Sequence, residues 1–221
     1  MTETILQNGK HERKLEVKFS ITLSEEQKKA KELILQHPFN FIIGKVGSGK
    51  TILAAHVALD LLFKGKVDKI VVTRPTVSTE DNGFLPGSLA EKMEPWLVPI
   101  YSNFLKVYDK SDKMKKLEDE KKIEVVALTH FRGRTFDNAI CIIDEFQNLS
   151  KNQLAMVLGR LGKNSIMILT GDTQQIDLKV RSESAIHTLD RLNESKYVSK
   201  IILIENHRHP ALDEVLGLLE Q

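Results

Sequence analysis

The chain has one cysteine, one tryptophan and six prolines, and its charges nearly cancel. Each scarcity excludes something. A lone Cys141 forms no internal disulfide, and without a Cys-x-x-Cys pair nothing suggests structural zinc, which fits a reducing compartment. No stretch approaches the roughly 18 consecutive apolar residues that a membrane span needs. The N-terminus, Met1 to Arg13, is polar and lacks the apolar segment of a secretory signal. A cytoplasmic protein with no membrane partner is therefore expected. With 32 Lys and Arg against 30 Asp and Glu, the net charge is +2. The broad basic field of many nucleic-acid binders is missing, so any such surface must be local.

What is present suits a packed soluble fold. The chain has 221 residues, 41% of them hydrophobic and 28% charged, too apolar for a disordered polymer. That length fits one domain with room for an arm or insertion, and excludes two full α/β cores in tandem. Residues 1–14 are polar and expected to be flexible, with a single domain over 15–221. Leu15, Val17, Phe19 and Ile21 alternate with polar residues as in a half-buried strand. Ser24 is a good N-cap for a helix over Glu25 to Gln36, with Gln27 as capping-box partner and Pro38 as the stop. Short apolar runs then recur at Phe39–Ile43, Lys69–Thr73, Glu124–Leu128, Ala139–Ile143, Ser165–Leu169 and Lys200–Ile204. Helical stretches separate them, which predicts an α/β three-layer fold with a mostly parallel sheet. Lys106 to Lys122 is the exception: charges of both signs crowd around Met114 and Leu117, as in a solvated helix or hairpin extension. Its interleaved acids cancel the field that a basic grip on nucleic acid would need.

Gly44-Lys45-Val46-Gly47-Ser48-Gly49-Lys50-Thr51 matches the phosphate-loop pattern G-x-x-x-x-G-K-[ST], after an apolar strand and before a helix. Glycines let successive backbone N–H groups curl around phosphate at a helix N-terminus. Lys50 reaches the β/γ-phosphates and the Thr51 hydroxyl binds Mg²⁺. The acidic half of such a site is Asp144-Glu145 at the tip of the run Ala139–Ile143, with Asp144 on Mg²⁺ and Glu145 on the attacking water. The second carboxylate favours hydrolysis over transfer to another acceptor. Thr170-Gly171-Asp172-Thr173-Gln174-Gln175 follows a further strand. Polar residues there face the ligand crevice, so Gln174 is a candidate γ-phosphate sensor or water-orienting group. The alternative is a plain turn broken by Gly171, against which the segment has more side-chain hydrogen-bonding capacity than a turn requires. Cys141 reads as a small buried hydrophobe.

Taken together, the phosphate loop, Thr73-Arg74-Pro75, Gly83-Phe84-Leu85-Pro86-Gly87, Arg132-Gly133-Arg134-Thr135, Asp144-Glu145-Phe146-Gln147-Asn148 and Thr170 to Asp177 resemble the PhoH family of phosphate-loop ATPases. The short form is similar to PhoH-like proteins of bacteriophages. The resemblance covers Ser24 to the C-terminus and implies a RecA-like core related to superfamily 1 helicases. It also implies ATP and Mg²⁺ as cofactors, and RNA or single-stranded DNA as partner. By position, Gln27 resembles the adenine-reading glutamine of those helicases, a role compatible with its capping box. Thr73-Arg74-Pro75 resembles the segment that touches the nucleic-acid backbone, or is a strand ended by proline. Arg132 and Arg134 are candidates for binding phosphate of nucleotide or RNA. Longer relatives carry a PIN ribonuclease in one branch, for which this chain has no room.

Phosphoryl transfer gains about 10³ to 10⁵ in rate from an arginine on the developing charge. Asn206-His207-Arg208-His209-Pro210 resembles the motif-four arginine segment, which makes Arg208 the leading candidate, with Arg160 and Arg181 behind it. Arg160 reads equally well as part of a helix C-terminus beside Gly162. His207 and His209 lack a nearby third metal ligand beyond Glu205 and read as surface or structural histidines. Trp96 suits a core or subunit contact better than base stacking. A single core of this type implies a homo-oligomer, with a hexameric ring the expected form. The function expected is an Mg²⁺-dependent ATPase coupled to RNA or single-stranded DNA, helicase-like. A nucleotide or small-molecule kinase and an ATP-gated assembly module remain alternatives.

Overall fold

A computed structural model of the chain describes residues 18–75, 99–209 and 211–219. Helix α1 (Glu25–Gln36) begins as its sequence dictates: the Ser24 side chain accepts from the Gln27 backbone N–H, and Gln27 Oε1 accepts from Ser24 N–H. Strand β1 (Phe39–Gly44) follows at once and feeds the long helix α2 (Lys50–Phe63). The order continues with β2 (Lys69–Thr73), helical residues 99–107 (α3), α4 (Ser111–Asp119), β3 (Ile123–Val125), β4 (Ala139–Ile143) and α5 (Lys151–Leu158). It ends with β5 (Ile166–Gly171), the short α6 (Leu189–Leu192), β6 (Val198–Leu203) and α7 (Leu212–Leu219).

The six strands form one sheet in the order β3-β2-β4-β5-β1-β6, and every pairing is parallel. Alternate residues of the strands bury opposite faces. Ile42, Ile70, Val72, Ile140, Ile142, Ile168 and Ile201 pack with α1 to α4 in one apolar cluster. Phe41, Ile43, Val71, Cys141, Ile143, Met167 and Leu169 pack with α5 and the loops after β4 and β5 in the other. Helical cover on both faces explains why the strands read as continuous apolar runs. The expected three-layer, phosphate-loop α/β fold is what the chain adopts.

Three expectations change in detail. Residues 18–22 pair with no strand; residues 1–17 lie outside the described part. Phe19 stacks on His56 of α2 at 4.2 Å between ring centroids, and Ser20 N–H donates to Val107 O at 2.8 Å. The alternation there reflects packing on helices, not on a sheet. The run Glu124–Leu128 is a strand only as far as Val125, and Leu128–Phe131 is a 3-10 turn. The charged stretch Lys106–Lys122 contains helix α4, which is anchored by a buried Met114 as well as solvated. Gly83–Gly87 and Trp96 lie outside the described residues.

Helix α2 is buried along most of its length, including two polar side chains. Asp60 is satisfied by Lys31 at 2.6 Å and Lys64 at 2.8 Å. His56 Nδ1 is buried with no hydrogen-bond partner among the described residues. Burial, reinforced by Lys31, pushes its imidazole down to about 4, so it is neutral at physiological pH.

Candidate functional site

Five neighbouring strands, β2, β4, β5, β1 and β6, end at the same edge of the sheet. In a parallel α/β sheet that edge is where ligands bind. The segments leaving these strands carry Arg74, Asp144 and Glu145, Thr170 to Gln174, the phosphate loop, and Asn206 to Arg208, in that spatial order.

The loop Gly44 to Thr51 turns sharply between β1 and α2. Gly47 (φ 92°) and Gly49 (φ 79°) occupy left-handed backbone that other residues adopt only with strain. A Cβ on Gly49 would sit 2.6 Å from Gln27 Nε2, and one on Gly47 would sit 2.7 Å from Asn206 Oδ1 and 3.1 Å from Arg208 Cγ. The loop is thus a cradle lined by Gln27 on one side and Asn206 to Arg208 on the other. Ser48 Oγ donates to Lys45 O at 2.9 Å and stabilises the turn. Lys50 folds over it, donating to Gly44 O at 2.6 Å and Lys45 O at 2.9 Å. Burial lowers the Lys50 pKa, while Asp172, Glu145 and Asp144 oppose the shift. An ammonium held among loop carbonyls and three carboxylates, at the N-terminus of a long helix, is well placed to meet phosphate oxygens.

Across the crevice, Asp144 Oδ1 accepts from the Thr51 hydroxyl at 3.0 Å and the Thr170 hydroxyl at 2.6 Å. Hydroxyl and carboxylate oxygens at this spacing are the donor set that Mg²⁺ prefers. Thr51 and Asp144 therefore fit a magnesium ion of the kind that takes few protein ligands and completes its shell with water and phosphate. Among the described residues no cluster of three or more His, Cys, Asp or Glu could hold a metal.

Glu145 follows with φ 55°, an unusual conformation for a non-glycine residue, and caps a 3-10 turn over Phe146–Asn148. Burial raises the Glu145 pKa, as does Asp144; Gln147, Arg74 and Lys50 pull it back. Gln147 is the residue that sequence reasoning missed. It is almost wholly buried, its Nε2 donates to Glu145 Oε2 at 2.8 Å and Gln175 O at 2.9 Å, and its Oε1 accepts from Asp172 N–H at 3.2 Å. One amide thus ties the acidic turn after β4 to the loop after β5. The reciprocal pair Asn148 and Asp177, at 2.8 and 3.1 Å, repeats the tie one turn further out. Gln147 and Asn148 sit among polar neighbours, Asp144-Glu145 before them and Ser150-Lys151 after, so nothing local in the sequence set them apart.

Other candidates fall into two groups. Gln174 is exposed, its backbone N–H bonded to Asp172 Oδ1 at 2.9 Å, and Arg181 Nη2 donates to Gln174 O at 3.1 Å, so both stay beside the crevice. Arg208 is exposed and laid against the phosphate loop of its own chain, since His207 N–H donates to Gly47 O at 3.0 Å. The Glu26 carboxylate fixes the root of that segment by accepting from Ile204 N–H at 2.8 Å and Glu205 N–H at 3.2 Å. Arg74 lies 3.9 Å from Asp144 Oδ2 and 3.6 Å from Glu145 Oε1. His209 Nδ1 accepts from Ala211 N–H at 3.2 Å, beside the start of α7.

Arg134 and Arg160 are not brought to the crevice. Arg134 pairs with Glu124 at 2.8 Å and covers the Phe136 ring at 4.8 Å. Arg160 Nε donates to Met156 O at 3.2 Å, closing the end of α5, and its own carbonyl receives Phe136 N–H at 3.0 Å. Phe136 precedes β4, so both arginines belong to the opposite end of the sheet from the phosphate loop. Arg132 is exposed and makes no ion pair among the described residues.

Solved structures share this fold at low identity. The large terminase of a thermophilic bacteriophage aligns with a TM-score of 0.54 at 10% identity, over 89% of this chain and 50% of that one. The Pif1 helicase from Candida albicans aligns with a TM-score of 0.50 at 18% identity, over 90% and 44%. Sequence relatives are nearer. A PhoH-like protein of Synechocystis is 37% identical over 195 residues, covering 85% of this chain and 58% of that protein. One of Bacillus subtilis is 40% identical over 182 residues, covering 80% and 56%. The chain thus spans a little over half the length of these two relatives. The PhoH-like protein family model matches residues 21–220, with Gln27, the phosphate loop, Asp144-Glu145 and Arg208 all inside it, and the chain belongs to that family.

Proposed function

We propose that the chain is an Mg²⁺-dependent ATPase whose turnover is coupled to binding RNA or single-stranded DNA. The observation that carries the reading is the contact between the two halves of the site: the Asp144 carboxylate already meets the Thr51 hydroxyl of the phosphate loop, and Gln147 holds the adjacent Glu145. In this reading Gly44, Lys45, Val46, Gly47, Ser48 and Gly49 wrap the phosphates with backbone N–H groups, and Lys50 moves from the loop carbonyls to the β/γ oxygens. Gln27 Nε2, the end of that amide not used by the cap, reads the adenine. Thr51 and Asp144 hold Mg²⁺, which when bound neutralises charge on the transferred group. Glu145 takes the proton of the attacking water, and its raised pKa suits a base. Arg208, against its own phosphate loop, supports the developing charge; Gln174 and Arg181 lie at the rim.

A kinase on the same loop could use Glu145 as the base on an acceptor hydroxyl in place of water. Product analysis separates the two: inorganic phosphate for the ATPase, a phosphorylated acceptor for the kinase. The main test is ATP turnover against a panel of RNA and DNA single strands, with Lys50→Ala as control. Stimulation by single strands supports the coupling. Unchanged turnover together with no binding at low salt, where phosphate contacts are strongest, refutes it.

Assembly into a hexameric ring belongs to the same proposal. Ile202 on the edge strand β6, Ile204 just beyond it, and Val215 and Leu218 on α7 are exposed apolar residues that a neighbouring copy would cover. Mass in solution with and without Mg²⁺-nucleotide tests it, and a concentration-independent monomer with full turnover rules it out.

A further inference from the structure

Arg74 is oddly placed for a residue that only grips nucleic acid. It leaves the carboxyl end of β2, next to β4, with its guanidinium over both acidic side chains of the crevice. Neither distance, 3.6 Å to Glu145 or 3.9 Å to Asp144, is a hydrogen bond. The attraction is therefore coulombic, screened by water where Arg74 meets the partly exposed Glu145 and less so at the buried Asp144. Arg134 is held differently, by a 2.8 Å charged hydrogen bond and an aromatic ring. Nothing comparable fastens Arg74 among the described residues, and its side chain is 31% exposed. Pro75 follows and fixes the backbone φ at the strand exit, so movement falls to the long side chain.

The carboxylates are the other half of the picture. Asp144 has one oxygen saturated by two hydroxyls, from Thr51 and Thr170, and turns the other toward Arg74. A divalent cation on Thr51 and Asp144 would take over the Asp144 charge that now attracts the guanidinium, leaving only the partly exposed Glu145 to hold it. The Arg74 side chain is partly exposed, so a released guanidinium can turn toward solvent, where its fork of donors suits a phosphodiester.

We propose that Arg74 is a displaceable counter-ion of Asp144 and Glu145, which loading of Mg²⁺-nucleotide turns outward onto a polynucleotide phosphate, so that nucleotide and nucleic acid bind with positive coupling through this one side chain. The proposal rests on the reading of the site as a nucleic-acid-coupled ATPase and names the group that joins the two ligands. Coupling of this kind is reciprocal: whatever factor nucleotide adds to nucleic-acid affinity, nucleic acid adds to nucleotide affinity.

The test uses the full chain and two binding measurements, neither of which is turnover. Fluorescence anisotropy of labelled oligo-U and oligo-dT is recorded with and without Mg²⁺ and a non-hydrolysable ATP analogue. Separately, a fluorescent nucleotide is titrated in Mg²⁺ without oligonucleotide. The wild type should bind oligonucleotide at least about fivefold more tightly when nucleotide is present, within the range usual for coupled sites. In Arg74→Ala that ratio should fall to within about twofold of one. The slope of log affinity against log salt in the nucleotide-loaded state should drop by about 0.7, the value of one single-strand phosphate contact. Nucleotide alone should bind the variant as tightly as the wild type or more tightly, because a competing cation has gone. Arg74→Gln, which keeps the reach without the charge, should behave the same way, and carries the test if the alanine variant melts early. Weaker nucleotide binding by both variants would make Arg74 a nucleotide ligand and overturn the proposal. An unchanged coupling ratio would overturn it as well, while leaving nucleic-acid binding intact. Failure of the wild type to bind any oligonucleotide at low salt would instead remove the underlying reading.

Discussion

Arg74 and Arg134 are both candidates for a phosphate contact on sequence grounds, and the fold sends them to opposite ends of one sheet. At the carboxyl end, Arg74 joins Asp144, Glu145, Gln147, Thr170 and Asp172, residues from three strands whose hydrogen bonds and charges depend on one another. At the amino end, Arg134, Lys69 and Glu124 form a small ion cluster over the Phe136 ring, and Arg160 closes the last turn of α5. The amino-end groups are each satisfied locally. Those at the carboxyl end depend on one another across strands, and the Glu145 backbone is held at a positive φ. Strain and shared partners gather where a ligand is to be met; simple pairing marks the end that only holds the fold.

The largest effect that tests this contrast is at Glu145. Glu145→Gln should lower ATP turnover by about 10² to 10⁴, the range of a lost general base. Fluorescent-nucleotide affinity should stay within about twofold. If turnover survives, the carboxyl end is not a hydrolytic site and the contrast breaks at its centre.

Gln147→Ala comes next. The amide does not meet the phosphates, so Km for ATP should hold within about twofold while kcat falls roughly tenfold as Glu145 loses its orienting donor. The variant also leaves the buried Asp172 N–H without its acceptor. Stability in urea should therefore drop by about 1 to 3 kcal/mol. A change in Km without a change in kcat would place Gln147 in nucleotide binding instead.

The sequence makes the frame and the chemistry of the phosphate loop legible, for reasons that these residues show. Capping at Ser24 and Gln27, the glycines at 47 and 49, and the apolar runs of β1, β2 and β4 are local signals, and α1, β2 and β4 fall on the predicted residues. The arm around Phe19 has the alternation of a strand, yet it packs on α2 and α3, because period two records one buried face and not what covers it. Gln147 acts through Asp172 and Gln175, some 25 and 28 residues away. The opposite placements of Arg74 and Arg134 depend on which strand end each adjoins, and only the strand order β3-β2-β4-β5-β1-β6 fixes that.

Buried polar groups remote from the crevice should act on stability and leave turnover alone, and His56 tests this. Its imidazole sits at about 4, below the ordinary 6.5, because burial disfavours the charged form. As pH falls the unfolded chain takes up the proton first, so the folded state keeps its full margin above about pH 6.5 and loses it progressively toward pH 4. Between about pH 7.5 and 5.5 the loss should be roughly 1 kcal/mol. His56→Leu should flatten this part of the stability profile, measured by urea unfolding at the two pH values. Lys31, Asp60 and Lys64 also face the site, and they remain in both proteins. Equal slopes in both would assign the acid sensitivity to another group.

The smallest effect is expected at Arg134. Its ion pair with Glu124 is partly exposed and its ring contact modest, so Arg134→Ala should cost about 1 kcal/mol. For a chain of this size that is a fall of about 2 to 4 °C in Tm. Turnover, nucleotide affinity and the salt slope of oligonucleotide binding should all match the wild type. The value of the experiment lies in setting it beside Arg74→Ala. Both substitutions remove one positive charge, so a general electrostatic effect on a polyanion would lower the salt slope in both. A slope that falls only in Arg74→Ala locates the phosphate contact at the carboxyl end. If Arg134→Ala lowers it too, the amino end also takes part in binding, and the division between a working end and a structural end does not hold.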